Sequence, residues 1–296
     1  MDSQYQAIQE VGERLRAFRI GAGLSPEEIA NQTGISRAAI YRYESGQPIR
    51  VDTLAKIAHL LNVSLTSLLG VGSENIASAL VFFERMRQLE AEVDHISVLF
   101  GPISYLLTSD EFDEYLPRVL YESVPEHVQD RKAALNDIDK IIEVLKERKL
   151  NYSQRKPNIV SLVSASELEQ YVRSGFIGCV NPKNVDVEAR KDVARREVEN
   201  IINLLTDPPI GIQIGIVVDS SPGSSFQIFT QSSRAQLAVS PFRLGAFANV
   251  RIGVANITSV HETVKLHQDV TQRLWKRSLK GEAAVKCLQQ ILVSQT

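Results

Sequence analysis

The sequence predicts a multidomain chain: an all-α unit of five short helices over residues 1–71, a long connecting helix over 72–100, and an α+β unit with an antiparallel sheet over 101–296. Three observations predict it. Between residues 8 and 69, apolar side chains recur at three- and four-residue steps and are punctuated by serine and glycine stop signals. From Ile76 a single stripe follows, through Leu80, Phe83, Met86, Leu89, Val93, Ile96 and Phe100, at helical spacing. At Ile210 the period changes to two: Ile210, Ile212, Ile214, Ile216 and Val218 alternate with Gly211, Gln213, Gly215, Val217 and Asp219, as on a half-buried strand.

Composition narrows the function classes. A net charge of -2 excludes an overall cationic coat, so contact with nucleic acid has to come from a local patch. Only Cys179 and Cys287 are present, which excludes a disulfide framework or a four-cysteine zinc site and fits a reducing compartment. The amino terminus carries neither a basic leader nor an apolar run, and no segment approaches the ~20 apolar residues that span a bilayer. A cytoplasmic location without a membrane partner is expected.

In the first unit, Ile8, Val11, Leu15 and Phe18 mark an amphipathic helix over residues 8–21. Ser25-Pro26-Glu27-Glu28 then combines a serine N-cap, a proline at the first helical position and a glutamate at the third, a capping box that opens a short second helix. After Gly34-Ile35, Ser36 caps a third helix that Gly46 closes. Ala39, Ile40 and Tyr43 lie on its inner side, while Arg37, Tyr41, Arg42 and Glu44 mostly face elsewhere. Helix, tight turn, helix is a DNA-binding arrangement. Leu54, Ile57, Ala58 and Leu61 mark a fourth helix, and Ser64 caps a fifth.

The run Arg14-Leu15-Arg16, Leu24-Ser25, Glu28-Ile29-Ala30, Gly34-Ile35-Ser36, Ile40, Glu44-Ser45-Gly46, Thr53-Leu54, Ile57-Ala58 and Leu61-Asn62-Val63-Ser64 resembles the XRE, or phage-repressor-like, helix-turn-helix family. The resemblance implies that the third helix reads bases from its first turn and from one turn later, which maps to Arg37, Ala38 and Arg42. An arginine fork can donate two hydrogen bonds to guanine, and Ala38 can touch only a thymine methyl. Phosphate contacts are assigned to Ser36, Tyr41, Gln47 and Arg50. The chain departs from the family at Pro26-Glu27, where a phosphate-binding glutamine is common. Seven basic residues against seven acidic ones in residues 1–71 leave the unit neutral, so affinity is expected to lean on geometry and on a second copy. Glu44 is assigned a structural role and Tyr43 a place in the core.

Beyond the connecting helix, which packs on the second unit or forms a dimer seam, short apolar pieces surround Pro117 and Pro125. Helices are expected over 126–150, from Ser166 towards Tyr171, and over 186–205, with strands at 159–163, 210–218, 226–230, 236–239 and 250–258 and two closing helices. The basic group Arg190, Lys191, Arg195 and Arg196 reads as surface. The order of elements loosely resembles the uncharacterised C-terminal domain of actinobacterial helix-turn-helix regulators, which implies a sensory or oligomerising role. Arg234, Arg243 and Arg251 are candidates to clamp an anionic effector, against a structural reading as salt bridges or exposed charge.

No catalytic constellation is found. His261 and His267 are six residues apart, which does not align two metal ligands on a helix, and each reads as a surface histidine. Ser220, Ser221, Ser224 and Ser225 read as turn serines without a base to activate them. No catalytic residue, metal ligand or cofactor is therefore assigned. The expectation is a dimeric, sequence-specific DNA-binding transcription regulator, of repressor type, acting on a palindromic operator under a small-molecule effector. An antitoxin-like protein-interaction module and an enzyme with a DNA-binding anchor are the alternatives.

Overall fold

A computed structural model describes residues 3–99, 101–219, 223–232 and 234–294. The chain opens with helices α1 (Ser3–Gly21), α2 (Pro26–Thr33), α3 (Arg37–Glu44), α4 (Val51–Leu60) and α5 (Leu65–Leu69). The hydroxyls of Ser25, Ser36 and Ser64 accept the backbone N–H of Glu28, Ala39 and Ser67, satisfying donors that a helix start leaves free. Gly34 and Gly70 close α2 and α5 in the left-handed conformation, with φ of 73° and 67°. Leu15, Phe18, Ile29, Ile40, Leu54 and Ile57 are buried between these helices.

The expected connecting helix is broken into three elements, β1 (Ser73–Ile76), α6 (Ala79–Glu90) and β2 (His95–Leu99). Ser78 restarts the helix by accepting the N–H of Val81, and the stripe positions Ile76 and Ile96 belong to strands. Phe100 lies outside the described residues. Within α6, Leu80, Phe82, Phe83, Glu84, Arg85 and Met86 are all buried, so this helix is enclosed all round and leaves no apolar face for a dimer seam.

The remaining elements are α7 (Asp110–Glu122), α8 (Arg131–Arg155), β3 (Asn158–Ser164), α9 (Ala165–Ser174), α10 (Val187–Thr206), β4 (Ile212–Val217), β5 (Ser225–Gln231), β6 (Arg234–Ser240), β7 (Ala255–Thr258), α11 (His261–Arg277) and α12 (Gly281–Ser294). Helix α7 runs through Pro117, where only short pieces were expected. Phe112, Leu116, Val119 and Leu120 are buried along it, and that burial outweighs one missing hydrogen bond. The helix expected from residue 126 begins at Arg131, where Asp130 supplies the cap.

The sheet is mixed, not antiparallel. Its order is β1-β7-β6-β5-β2-β3-β4. The expected meander is present in β5, β6 and β7, and β1 joins it antiparallel. On the other side β2, β3 and β4 are parallel, because the helices between them carry the chain back across the sheet before each strand begins. Helices α6, α8, α9, α10 and α12 enclose the main core. Helix α11 covers a smaller cluster of Leu99, Leu162, Phe226, Ile228 and Leu237.

Arg190 is buried, not at the surface. Its guanidinium pairs with Glu122 and donates to the Phe176 carbonyl at 3.1 Å. His267 likewise is half-buried, edge-on to the Phe226 ring at 5.0 Å. Ser220 and Ser221 lie outside the described residues.

The first unit is joined tightly to the second. One apolar cluster includes Leu15 and Ile40 of the first unit together with Phe82, Val163 and Leu288 of the second. Between α5 and β1 only residues 70–72 intervene. Next to them, Arg14 Nε donates to Glu74 Oε1 at 2.7 Å, Arg85 Nε to Glu74 Oε2 at 2.8 Å and Arg85 Nη2 to Oε1 at 2.9 Å. Gln88 Nε2 reaches back to the Glu13 carbonyl at 3.1 Å.

Candidate nucleic-acid interface

Helix α3 is presented outward by what lies behind it. Ala39 and Ile40 are buried and Tyr43 is half-buried, as the apolar spacing predicts. Gly12 of α1 lets the backbones of α1 and α3 meet: a Cβ at this position would stand 2.3 Å from the Tyr43 carbonyl oxygen. Arg19 of α1 grips Glu44 with both nitrogens, at 2.5 and 2.9 Å, which gives Glu44 the structural role expected of it. Both α1 contacts escaped the sequence reading, since nothing in a lone glycine or arginine names its partner on another helix.

The exposed arc of α3 spans about 140° of the helix at 100° per residue. Arg37 and Tyr41 form one edge, and Ala38 and Arg42 the other; all four are exposed. The Arg37 guanidinium lies 5.5 Å from the centre of the Tyr41 ring, bonds its hydroxyl at 3.4 Å and stands 3.7 Å from a Glu27 oxygen. Those contacts, the Tyr41 hydrogen bond first, hold Arg37 protonated above its already high ordinary value. Because the group is open to water, releasing it from Glu27 costs little. For Arg42 no ion pair is found among the described residues.

Ser36 is exposed, but its hydroxyl oxygen is engaged by Ala39 N–H at 3.2 Å, leaving its own O–H as a donor. Gln47 and Arg50 are exposed in the loop after α3; Arg50 stands 3.2 Å from Asp52. Glu28 is turned back onto the Ser25 N–H at 2.6 Å, so of the two glutamates opening α2 only Glu27 faces Arg37.

The neutral charge count does not describe the surface. Arg14 is buried and Arg19 half-buried, each in an ion pair, and Glu44 is half-buried beside Arg19. Among the described residues up to 71, the exposed charges are Arg16, Arg37, Arg42, Arg50 and Lys56 against Glu27, Glu28 and Asp52. Among the exposed described residues of the unit, cations therefore outnumber anions by five to three.

The three effector candidates are not brought together. Arg234 begins β6 and faces Glu10 of α1 at 3.5 Å. Arg243 stands 3.7 Å from Glu167 of α9, across a separate recess, and Arg251 is half-buried in the loop before β7. Among the described residues no group of three or more His, Cys, Asp or Glu side chains is placed to hold a metal ion, and no helix is long and apolar enough to cross a membrane.

Compared with known families, residues 15–68 match the one described as Helix-turn-helix. No curated protein matches the chain. The matched span begins within α1 and ends within α5, so it contains the whole of α2, the turn at Gly34 and α3. A domain of this kind suggests a DNA-binding regulator. The amino-terminal part of the chain is a helix-turn-helix domain and belongs to the XRE-type family.

Proposed function

We propose that the chain is a transcription regulator that reads DNA in the major groove with α3. The observation that carries this reading is the outward arc of α3, with Arg37 and Arg42 at its two edges on a helix-turn-helix domain. Arg37, Ala38 and Arg42 meet the base edges, and Ser36, Tyr41, Gln47 and Arg50 meet the flanking phosphates. The active species is a homodimer on a palindromic operator, because one eight-residue helix covers too few base pairs; two related copies read half-sites about one helical turn, ~34 Å, apart. The reading assigns the protein no catalytic step.

The test is selection of bound fragments from random DNA, followed by band shifts with the selected sequence. Arg37→Ala and Arg42→Ala are each expected to cost about 1–3 kcal/mol of preference at one base pair. Arg50→Ala is expected to weaken all sequences alike. Unchanged sequence preference in both α3 variants overturns the assignment. Sedimentation with and without the selected DNA tests the dimer.

A further inference from the structure

A groove of about 630 Å³ opens where the helix-turn-helix domain meets the sheet. Glu10 of α1, Arg234 of β6 and His261 of α11 line it; Ile257 and Val264 lie beneath it, buried, and half-buried Leu69 supplies apolar lining. Beside it Val71 and Val260 are 65% and 42% exposed, each adjacent in sequence to a residue of the groove.

Of the four charged side chains that line the groove, Arg14 and Glu74 are paired with each other, and Glu10 and Arg234 are unequally satisfied. Glu10 Oε2 accepts a hydrogen bond from Arg14 Nη2 at 2.8 Å. Its other oxygen is 3.5 Å from Arg234 Nη1, too far for a strong hydrogen bond, and the Arg234 side chain is 46% exposed. Arg234 thus offers a guanidinium with donors to spare, next to an apolar surface, in a recess within the size range of small-molecule sites.

We propose that this groove binds a small organic anion, a carboxylate or phosphate with an apolar body. The anion takes the Arg234 fork and the body lies against Leu69, with Val71 and Val260 exposed beside it. This assignment rests on the regulatory reading above and gives it an effector site. The ligand competes with Glu10 for Arg234, and Glu10 belongs to the helix that positions α3: two residues on, Gly12 meets the Tyr43 carbonyl, and further along Arg19 holds Glu44. A shift of α1 therefore reaches the reading helix directly.

The test is an NMR titration of the full-length protein with sodium hexanoate, inorganic phosphate and neutral hexanamide at fixed ionic strength. Saturable shifts confined to residues around Arg234, Gln236 and His261 are expected with an anion, and whichever anion saturates names the headgroup. Affinity is expected to fall at least ~tenfold with hexanamide and in Arg234→Gln, and to fall less in Arg234→Lys, which keeps the charge but not the fork. Shifts that do not saturate with either anion, that spread over the surface, or that persist at full affinity in Arg234→Gln overturn the proposal. The titration contains no DNA, so its failure is distinct from a failure of operator binding in the band shift.

Discussion

Replacing Glu74 with glutamine tests whether a buried carboxylate fixes the helix-turn-helix domain to the sheet. Its two oxygens accept three hydrogen bonds, from Arg14 and Arg85, at 2.7–2.9 Å. The side chains of Glu74, Arg14 and Arg85 are 4%, 5% and 1% exposed. Burial, the largest influence, would raise the carboxyl's proton affinity, but Arg85 and then Arg14 together hold it below its ordinary 4.5. Glutamine keeps the shape, removes the charge and turns an amide N–H₂ towards guanidinium donors. Arg14 retains Glu10, whereas Arg85 is left with the neutral Gln88 oxygen at 2.6 Å, so the cost falls mainly on Arg85. Breaking one side of a buried pair costs about 3–5 kcal/mol, a large part of the ~5–15 kcal/mol typical of a folded protein. Urea unfolding followed by circular dichroism should show the midpoint falling by about 1–2 M with little change in slope. The triple variant Arg14→Met, Glu74→Leu, Arg85→Met, which removes every charge at once, should recover most of that loss. The sign with pH follows from the lowered carboxyl: the stabilisation is fully present above the ordinary 4.5 and is lost as pH falls through the lower folded value. The difference between wild type and Glu74→Gln should therefore be constant above about pH 4.5 and narrow below it. A loss below about 1 kcal/mol at neutral pH would refute the reasoning.

Gly12→Ala should lower thermal stability by the equivalent of about 1–3 kcal/mol and weaken operator binding in the band shift, since its Cβ would stand 2.3 Å from the Tyr43 carbonyl and push α3 away; an unchanged melting temperature contradicts the close crossing. Glu197 behaves oppositely to Glu74. Burial raises its carboxyl above the ordinary range, and the hydrogen bonds from Ser109 and Asn200 recover only part of that. Its native state therefore binds the proton more tightly than the unfolded chain. Wild type should gain stability relative to Glu197→Gln as pH falls from 7 through the raised value towards the ordinary 4.5, measured as urea midpoints over that range. A difference that stays constant over that range refutes the assignment.

The helix-turn-helix domain was legible because its signals are local. Ser25, Ser36 and Ser64 act on amides three residues away, and Gly34 and Gly70 supply backbone angles that a short window reveals. The outward placing of Arg37 and Arg42 followed from the apolar spacing of Ala39, Ile40 and Tyr43. What failed needed partners distant in sequence. Residues 73–99 carry a helical stripe, yet the sheet captures both ends, because Glu74 and Ile76 find partners in β7 and Ile96 finds them in β3 and β5. Strand direction was hidden for the same reason: the alternation of Ile212, Ile214 and Ile216 reports a pleat but not which way its neighbour runs. Charge counting misled in the first unit because it cannot tell Arg14 and Arg19, held in ion pairs, from Arg42 at the surface.

Strand β1 follows the helix-turn-helix domain directly, yet the strand it pairs with, β7, lies near the other end of the chain: Asn75 and Asn256, hydrogen-bonded across the pair at 3.0 Å, are 181 residues apart. During synthesis the helices of the helix-turn-helix domain therefore leave the ribosome long before the strand that pairs with β1 exists. At about 5–20 residues per second that interval is on the order of 10–40 s. In it the amino-terminal domain can fold on its own local signals and meet Glu74, Arg85 and Gln88, but the strand that ties β1 into the sheet is still to come. A chain cut short before residue 255 would keep the helix-turn-helix domain and its contacts with α6 but leave β1 without its partner strand, so the last quarter of the polypeptide shares in how the first quarter is held.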